Sequence, residues 1–158
     1  MIALVAMTEA NFQMYCERAI AEYAKGHVRS GRWSQEEAYE QAHRQYQELL
    51  PQGVATPTHY LYTLTDASTQ TPVGILWFAL QPQAGKQVAF IYDVAIEPAF
   101  RRNGYATQAF EALEQQVRAL GVQQIRLQVL GHNHEASALY EKLGFVVTNV
   151  MMAKSLGA

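Results

Sequence analysis

The chain has 158 residues, of which 49% are hydrophobic and 16% charged, a balance typical of a folded globular domain rather than a disordered or fibrous protein. Its 12 basic and 14 acidic residues give a net charge of −2, which predicts no general attraction to nucleic acid or anionic lipid. The single cysteine, Cys16, excludes an intramolecular disulfide and a thiolate zinc site within one chain. No apolar run reaches the roughly 20 residues that span a bilayer, and no signal peptide is evident, so we expect a cytoplasmic protein without a membrane partner.

Two amphipathic helices are predicted in the N-terminal third of the chain. The first spans roughly residues 9 to 25, where apolar residues recur at helical spacing and Gly26 follows as a stop signal. Its apolar face consists of Phe12, Tyr15, Cys16, Ala19, Ile20 and Tyr23. The second helix begins after Ser34, which forms a predicted capping box with Glu37, and ends before Pro51.

The middle of the chain predicts an antiparallel sheet that leads into a β-α-β unit. Segments rich in β-formers and separated by turn residues indicate strands at 59–65, 73–80 and 87–96. A helical period then indicates a helix over 104–120, and a further strand is expected over 124–130. Consecutive strand, helix and strand imply parallel strands joined by a right-handed crossover.

One more helix and a final strand are predicted near the C-terminus. Asn133 is suited to cap the helix, Gly144 to end it, and the strand should run from Phe145 to about Ala153. The predicted order is therefore β-α-α-β-β-β-α-β-α-β, an α/β (α+β) fold with a mixed central sheet. No repeat, low-complexity run or linker marks a boundary, so residues 1–158 are expected to form a single domain.

The turn between strand 87–96 and helix 104–120 has the character of an anion-binding site. It consists of Arg101, Arg102, Asn103, Gly104, Tyr105, Ala106 and Thr107. A helix N-terminus offers main-chain N–H groups and a partial positive charge, and Gly104 lets a phosphate approach closely. An ordinary strand-to-helix turn with solvated arginines is the alternative. The glycine-rich motifs of dinucleotide-binding and nucleoside-triphosphate-binding proteins are both absent.

Two motifs in this order resemble those of the GNAT superfamily of N-acetyltransferases. The pattern R-x-x-G-x-A at residues 101–106 resembles motif A, whose loop holds the pyrophosphate of CoA. The pattern N-x-x-A-x-x-L-Y-E-K-L-G-F at residues 133–145 resembles motif B. The element order also agrees with the GNAT fold, so the resemblance covers essentially the whole chain. The fuller pattern is similar to a small bacterial branch of the YycN type, which implies no substrate.

The resemblance implies acetyl transfer from acetyl-CoA to a primary amine, by direct transfer in a ternary complex. The acceptor would be a small molecule, a peptide N-terminus or a lysine. It implies that Val94 and Ile96, at a bulge ending the central strand, hydrogen-bond the pantetheine arm through main-chain atoms. Residues 102–107 would present amides to the diphosphate, with Arg101 and Arg102 near the nucleotide end. Ala106 stands where many relatives have glycine.

Tyr140 occupies the motif position of the family's general acid, and tyrosine ordinarily stays protonated at neutral pH. Packing beside Leu139 and Leu143 is the alternative explanation for this side chain. Asn133 is implied to reach the cofactor or its thiol, although helix capping accounts for it without a function. Tyr140 is therefore the candidate acid and Asn133 a candidate cofactor contact.

No acidic residue occupies a position that the family uses consistently as the general base. Asp93, in the central strand, is the favoured candidate, acting directly or through water, although a carboxylate at a strand end is often structural. His59 ranks below it, because a solvated strand end explains this histidine equally well. His132 and His134 lack a third ligand nearby, so no metal is expected.

Three further points stay open at this level. A non-catalytic acyl-CoA-binding regulatory or interaction module would keep the turn at 101–107 while making Tyr140 dispensable. The donor could carry a longer acyl group than acetyl. The chain is expected to be a monomer or a homodimer.

Overall fold

The computed structural model describes residues 1–157, which divide into one unit from Met1 to Leu127 and a second that begins at Gln128. The expectation of a single domain over residues 1–158 stays a prediction. The regular elements are β1 (Ile2–Ala6), α1 (Glu9–Arg29), α2 (Gln35–Leu49), β2 (His59–Asp66), β3 (Thr71–Gln83), β4 (Lys86–Ile96), α3 (Tyr105–Ala119), β5 (Ile125–Leu127) and α4 (His134–Lys142). None of the helices in the described part of the chain has the length and apolar character needed to cross a bilayer.

Five strands of the first unit form one mixed sheet in the order β1-β2-β3-β4-β5. The first four strands are antiparallel neighbours, whereas β5 runs parallel to β4 and pairs Ile125–Leu127 with residues 89–91. The parallel pair joined through α3 confirms the predicted β-α-β unit. Strand β5 is shorter than the predicted 124–130, because regular pairing with β4 covers only three residues.

Helices α1 and α2 pack against each other, and α1 covers one face of the sheet. The core on this face consists of Met7, Phe12, Tyr15, Leu50, Leu61 and Trp77. Helix α1 continues to Arg29, beyond the predicted end near residue 25, because Ala24 and Val28 pack in a cluster with α2 residues. A glycine inside a helix costs only about 1 kcal/mol, which this packing offsets at Gly26. The single cysteine, Cys16, is half-buried on α1, and burial raises the pKa of its thiol to about 11.

The start of α2 differs from the predicted capping box. Ser34 does precede the helix, but its side chain makes no capping hydrogen bond, so the reciprocal bonds with Glu37 are not formed. Two acidic residues in the first turn, Glu36 and Glu37, still interact favourably with the positive end of the helix dipole. The helix position was therefore predicted correctly and its capping was not.

Both faces of the central strand β3 are covered. Trp77 is only 2% exposed, and its neighbours Leu76 and Phe78, which point to the other face of the sheet, are as deeply buried. Helix α3, which confirms the helix predicted over 104–120, packs against β1 and β4 and buries Phe110 and Leu113. The sheet thus supports the C-terminal end of β4, where the candidate residues Asp93, Val94 and Ile96 lie.

The second unit contains α4 and a long segment without regular structure. Asn133 caps α4 as predicted, accepting a hydrogen bond from the main-chain N of Ala136 at 3.3 Å. The predicted final strand from Phe145 to Ala153 is wrong, because residues 145–157 form neither helix nor strand. β-branched residues favour an extended backbone, but a strand also needs a ladder of hydrogen bonds to a neighbouring strand, and this segment has no strand assignment.

Candidate active site

Strand β4 changes its pairing near its C-terminal end. Asp93 pairs with Trp77 and Ile91 pairs with Phe78, so the intervening Tyr92 is an extra residue, a β-bulge. On the other side β5 pairs with β4 only as far as Ile91. Residues 92–96 therefore have β3 along one edge and no strand of the first unit along the other. A bulge in this strand is what the family resemblance implies.

The main-chain groups of Val94 and Ile96 face that open edge. Glu97 N donates to Val73 O at 2.8 Å, and hydrogen-bonded pairs alternate along an antiparallel ladder, so Asp93 and residue 95 face β3. Val94 and Ile96 consequently direct their N–H and C=O groups to the opposite side. Two of these groups already have partners, since Ile96 O accepts a hydrogen bond from Arg101 Nε at 3.1 Å and the N–H of Val94 interacts with the Asp93 carboxylate.

The turn before α3 is fixed by its own hydrogen bonds. Asn103 Nδ2 donates to the main-chain oxygens of Phe100 and Arg101 at 3.0 and 3.2 Å. Arg102 has a φ of +66° and Gly104 a φ of +75°, both in the left-handed region. The side chain of Asn103 is thus occupied in shaping the turn, and Gly104 meets the backbone requirement without strain.

The N-terminus of α3 has no acceptor of its own. No side chain caps it, and no acidic residue lies in its first turn. Within the first unit, the main-chain N–H groups of Tyr105, Ala106 and Thr107 have no hydrogen-bond acceptor, while Gln108 N donates to Gly104 O. A side-chain carbon added at Gly104 would meet no atom within 4 Å, so the space in front of these groups is open. Such an end can bind an anion.

The side chain of Tyr105 ties the first turn of α3 to the end of β2. Its hydroxyl donates to Asp66 Oδ2 at 2.6 Å, while Asp66 Oδ1 accepts from the hydroxyl and the main-chain N of Ser68. The hydrogen bonds from Ser68 and then Tyr105 hold the pKa of Asp66 well below its usual range. Tyr105 was predicted as an amide donor to phosphate, and its side-chain anchor was not foreseen.

Asp93 lies on the face of the sheet that α1 covers. Its Oδ2 accepts a hydrogen bond from the hydroxyl of Tyr15 at 2.7 Å. Burial raises the pKa of Asp93, and the Tyr15 hydrogen bond, the charge of Arg18 and the N–H of Val94 oppose that rise. Burial, together with the charge of Asp93, raises the pKa of Tyr15, so this hydroxyl stays protonated and donates.

His59 is committed to another partner. Its Nδ1 accepts a hydrogen bond from Trp77 Nε1 at 3.0 Å, and burial lowers its pKa, which favours the neutral ring. A neutral histidine that accepts at Nδ1 carries its proton on Nε2, so it has no lone pair left for a base. Trp77 also stacks on Tyr92, with ring centroids 4.6 Å apart. Both nitrogens of His59 are thus accounted for, and Asp93 stays the predicted base.

A groove of about 330 Å³ lies between α1 and the sheet, close to Asp93. Its lining includes Tyr15, Met14 and Ile75, and its polar wall is an ion pair between Arg18 and Glu97 with an N–O distance of 2.9 Å. Asp93 is not among the residues that line the groove, but Tyr15 lines it and donates its hydroxyl hydrogen bond to Asp93. A larger groove of about 460 Å³ between α1 and α2 contains none of the candidate site residues.

The predicted site residues fall in both units. Asp93, Val94, Ile96 and the turn at 101–107 belong to the first unit, whereas Asn133 and Tyr140 belong to the second. Tyr140 lies within α4, and its ring contacts that of Phe145 edge-on at 5.8 Å. Among residues 1–157 no cluster of three or more histidine, cysteine or acidic side chains could hold a metal ion.

Sequence reasoning missed Tyr15 as a site residue and assigned it to the apolar face of α1. A signal was present, because Asp93 is the only acidic residue in the otherwise largely apolar β4 and a buried carboxylate needs a donor. The pattern did not show which donor, since Tyr15 precedes Asp93 by 78 positions.

Comparison with known proteins agrees with the fold and with the motifs. The model of the Acetyltransferase (GNAT) family matches residues 17–145. YycN of Bacillus subtilis, an uncharacterized N-acetyltransferase, is 37% identical over 98% of this chain and 99% of its own. YdgE of the same organism, also an uncharacterized N-acetyltransferase, is 33% identical over 95% of both chains.

Solved structures give the same answer. The crystal structure of YycN covers 100% of both chains with a TM-score of 0.90 at 37% identity. An aminoglycoside 6'-N-acetyltransferase of Acinetobacter baumannii covers 99% of this chain and all of its own, with a TM-score of 0.61 at 20% identity, and shows the fold alone. Sequence motifs, an uncapped α3 beside an open strand edge, and full-length relatives all agree: the chain belongs to the GNAT family of acetyltransferases.

Proposed function

We propose that this acetyltransferase moves an acetyl group from acetyl-CoA to a primary amine by direct transfer in a ternary complex. The observation that carries the proposal is the N-terminus of α3, which lacks an internal acceptor and lies next to the open edge of β4. A helix N-terminus suits a diphosphate, and an open strand edge suits an arm that carries amide groups.

The diphosphate of acetyl-CoA would bind the N–H groups of residues 105–107, with Arg101 and Arg102 adding positive charge. The pantetheine arm would pair with main-chain groups of Val94 and Ile96, as an added strand pairs with a sheet edge. Arg101 would have to release Ile96 O, or share it, when the arm binds. Acetyl-CoA supplies a thioester, whose carbonyl carbon accepts an amine and whose sulfur leaves.

The protein has to remove a proton from the amine and return one to the leaving sulfur. Asp93 is the proposed acceptor of the first proton, because burial raises its pKa toward the range in which a carboxylate is an effective base. Tyr140 is the proposed donor of the second, and Asn133 a proposed cofactor contact. The new bond joins nitrogen to the acetyl carbon as the carbon–sulfur bond breaks, so CoA leaves as a thiol.

The groove between α1 and the sheet is the proposed entry for the acceptor. Its lining contains Tyr15, which holds the proposed base, and Met14, whose side chain is largely exposed at the rim. The two Bacillus subtilis relatives are described as N-acetyltransferases, and we extend only that acetyl transfer to nitrogen to this chain. A small molecule, a peptide N-terminus and a lysine are the three acceptor classes proposed. We propose that the protein works in the cytoplasm, as a monomer or a homodimer.

Calorimetric titration with acetyl-CoA is the first test, followed by CoA release with benzylamine, spermidine, lysine and an alanyl tetrapeptide. We expect saturable one-to-one binding and turnover with at least one amine. The variant Tyr140→Phe should then lose about 10²- to 10⁴-fold in kcat while still binding acetyl-CoA. Lack of binding at millimolar acetyl-CoA would refute the donor assignment. Binding without turnover by any acceptor would instead favour a non-catalytic acyl-CoA-binding module.

A further inference from the structure

Tyr15 is the most deeply buried hydroxyl beside the proposed base. The residue is 5% exposed, it comes from the middle of α1, and its ring packs in the core with Phe12, Leu61 and Trp77. A buried hydroxyl needs a hydrogen-bond partner, and here that partner is Asp93 Oδ2 at 2.7 Å. The ring is therefore fixed by packing, and the hydroxyl is held at one oxygen of the carboxylate.

Other charged and titratable groups face Asp93 from three elements. Arg18 lies one helical turn beyond Tyr15 on α1, but its side chain is 57% exposed and paired with Glu97. Tyr46 on α2 lies near enough to interact electrostatically with Asp93, without a hydrogen bond to it. On the sheet, the N–H of Val94 favours the charged carboxylate. Within the first unit, Tyr15 is the one side chain that donates a hydrogen bond to Asp93.

Strand β4 has a β-bulge at Tyr92, the residue next to Asp93. The bulge interrupts the β3–β4 register immediately before Asp93, so the pairing pattern alone does not fix the direction of the carboxylate. An aspartate has few rotatable bonds, and one strong hydrogen bond from a rigid ring is sufficient to select a single rotamer.

We infer that Tyr15 is a positioning residue for Asp93, holding Oδ2 so that Oδ1 is left to take the proton from the acceptor amine. The inference rests on the proposed function, since it requires Asp93 to be the base. Tyr15 itself exchanges no proton with the substrate. It acts through the carboxylate, and it also lines the groove through which the amine is proposed to enter.

Removing the hydroxyl has two consequences with a definite direction. The charged carboxylate loses a hydrogen bond that favours ionisation, so the pKa of Asp93 rises further and the acid limb of the rate profile moves to higher pH. The carboxylate also loses its fixed rotamer, so kcat above that limb falls by about 10-fold. A purely structural role for Tyr15 would change stability without moving the acid limb.

The experiment measures kcat/KM against pH for the full chain, with the panel amine that gives the fastest CoA release. The variants are Tyr15→Phe, Asp93→Asn and the matched control Tyr46→Phe, which removes a neighbouring hydroxyl that does not bond to Asp93. We expect Asp93→Asn to lose at least about 10²-fold, Tyr15→Phe to move the acid limb upward, and Tyr46→Phe to match the wild type.

The outcomes separate the two proposals. If Asp93→Asn is inactive and Tyr15→Phe keeps the wild-type profile, Asp93 stays the base and the positioning role is refuted. If Asp93→Asn is as active as the wild type, the proposed base is wrong and the role of Tyr15 falls with it. Should Tyr15→Phe fail to fold, 3-fluorotyrosine at position 15 replaces it. As the stronger donor, it should move the acid limb to lower pH, and an unchanged limb would overturn the inference.

Discussion

The N-termini of α1 and α3 both present main-chain N–H groups, but only α1 has a side-chain cap and an acidic residue for them. At α1, Thr8 accepts a hydrogen bond from Asn11 N at 3.1 Å, and Glu9 lies in the first turn. At α3, the capping position holds Gly104, and two arginines precede it in place of acids. One helix satisfies its positive end from its own sequence. At the other, no side chain caps the positive end, and two arginines add charge, which suits the ligand proposed above.

This difference between the two helix ends decides which of them can gain free energy by binding an anion. A helix end already paired with a side chain gains little from a ligand, because the ligand must displace an existing hydrogen bond. At α3 no such exchange is needed, and the turn is held in place without using the N–H groups. Asn103 fixes the preceding carbonyls and Tyr105 anchors the first turn to Asp66. Rigidity therefore comes from side chains, and the main chain is left for binding.

The largest expected effect comes from giving α3 an acid at its capping position. The variant Gly104→Asp places a negative charge where the diphosphate is proposed to lie, so we expect acetyl-CoA affinity to fall by about 10²-fold or more. Gly104→Asn is the matched control, because asparagine tolerates a positive φ about as well and carries no charge. Equal affinities for the two variants in calorimetry would show that charge at this position does not matter.

A smaller loss is expected from Arg102→Ala. Removing one charge-assisted contact at the rim should weaken acetyl-CoA binding about 10-fold, and the difference should shrink at high salt. The control is Arg118→Ala, which removes the same charge from the last turn of α3, at the opposite end of the helix. Calorimetry at two salt concentrations checks both variants. A similar loss in the two would point to net charge instead of a local contact.

Asp66→Asn tests the anchor of α3 through its pH dependence. Because hydrogen bonds hold the native pKa of Asp66 below its unfolded value, its ionisation stabilises the fold above about pH 4, and this contribution is lost as the pH falls toward the native pKa. We expect the variant to lower Tm at pH 7 and the difference from wild type to narrow in acid. A constant difference in Tm between pH 7 and pH 3 would contradict this account.

The smallest effect is expected at α1. Thr8→Ala removes the capping bond and should lower the free energy of unfolding by about 1 kcal/mol, which corresponds to a fall in Tm of about 2–4 °C. Acetyl-CoA affinity should not change, since α1 has no proposed contact with the diphosphate. Thermal denaturation with and without acetyl-CoA measures both quantities. An altered affinity would mean that the two helix ends are coupled.

Local patterns predicted most of the fold and the position of the turn between β4 and α3. Helical periods, a glycine at the start of α3 and clusters of β-formers are short-range signals, and they placed the elements of the first unit within a few residues. The pairs Tyr15–Asp93 and Tyr105–Asp66 could not be read from the sequence, because the partners lie 78 and 39 positions apart and meet only after the sheet has formed.

The prediction of a final strand was wrong for a related reason. Val146, Val147 and Val150 favour an extended backbone, yet all three are exposed in the structure, and β-propensity names no partner strand. The sequence also did not show whether a capping residue forms its hydrogen bond. Ser34 precedes α2, but its side chain makes no capping hydrogen bond. The family motifs identified Tyr140 and Asn133 as candidates, and their proposed roles depend on chemistry that only kinetics can measure.

The raised pKa of Cys16 has a practical consequence for enzymology. A thiol with a pKa of about 11 is ionised in only about one molecule in ten thousand at pH 7, and the thiolate is the form that attacks thiol-reactive dyes. The CoA that the proposed reaction releases carries an ordinary alkyl thiol, which such dyes label far faster. A colorimetric thiol reagent can therefore follow each turnover continuously against a nearly silent protein background, without first mutating the single cysteine.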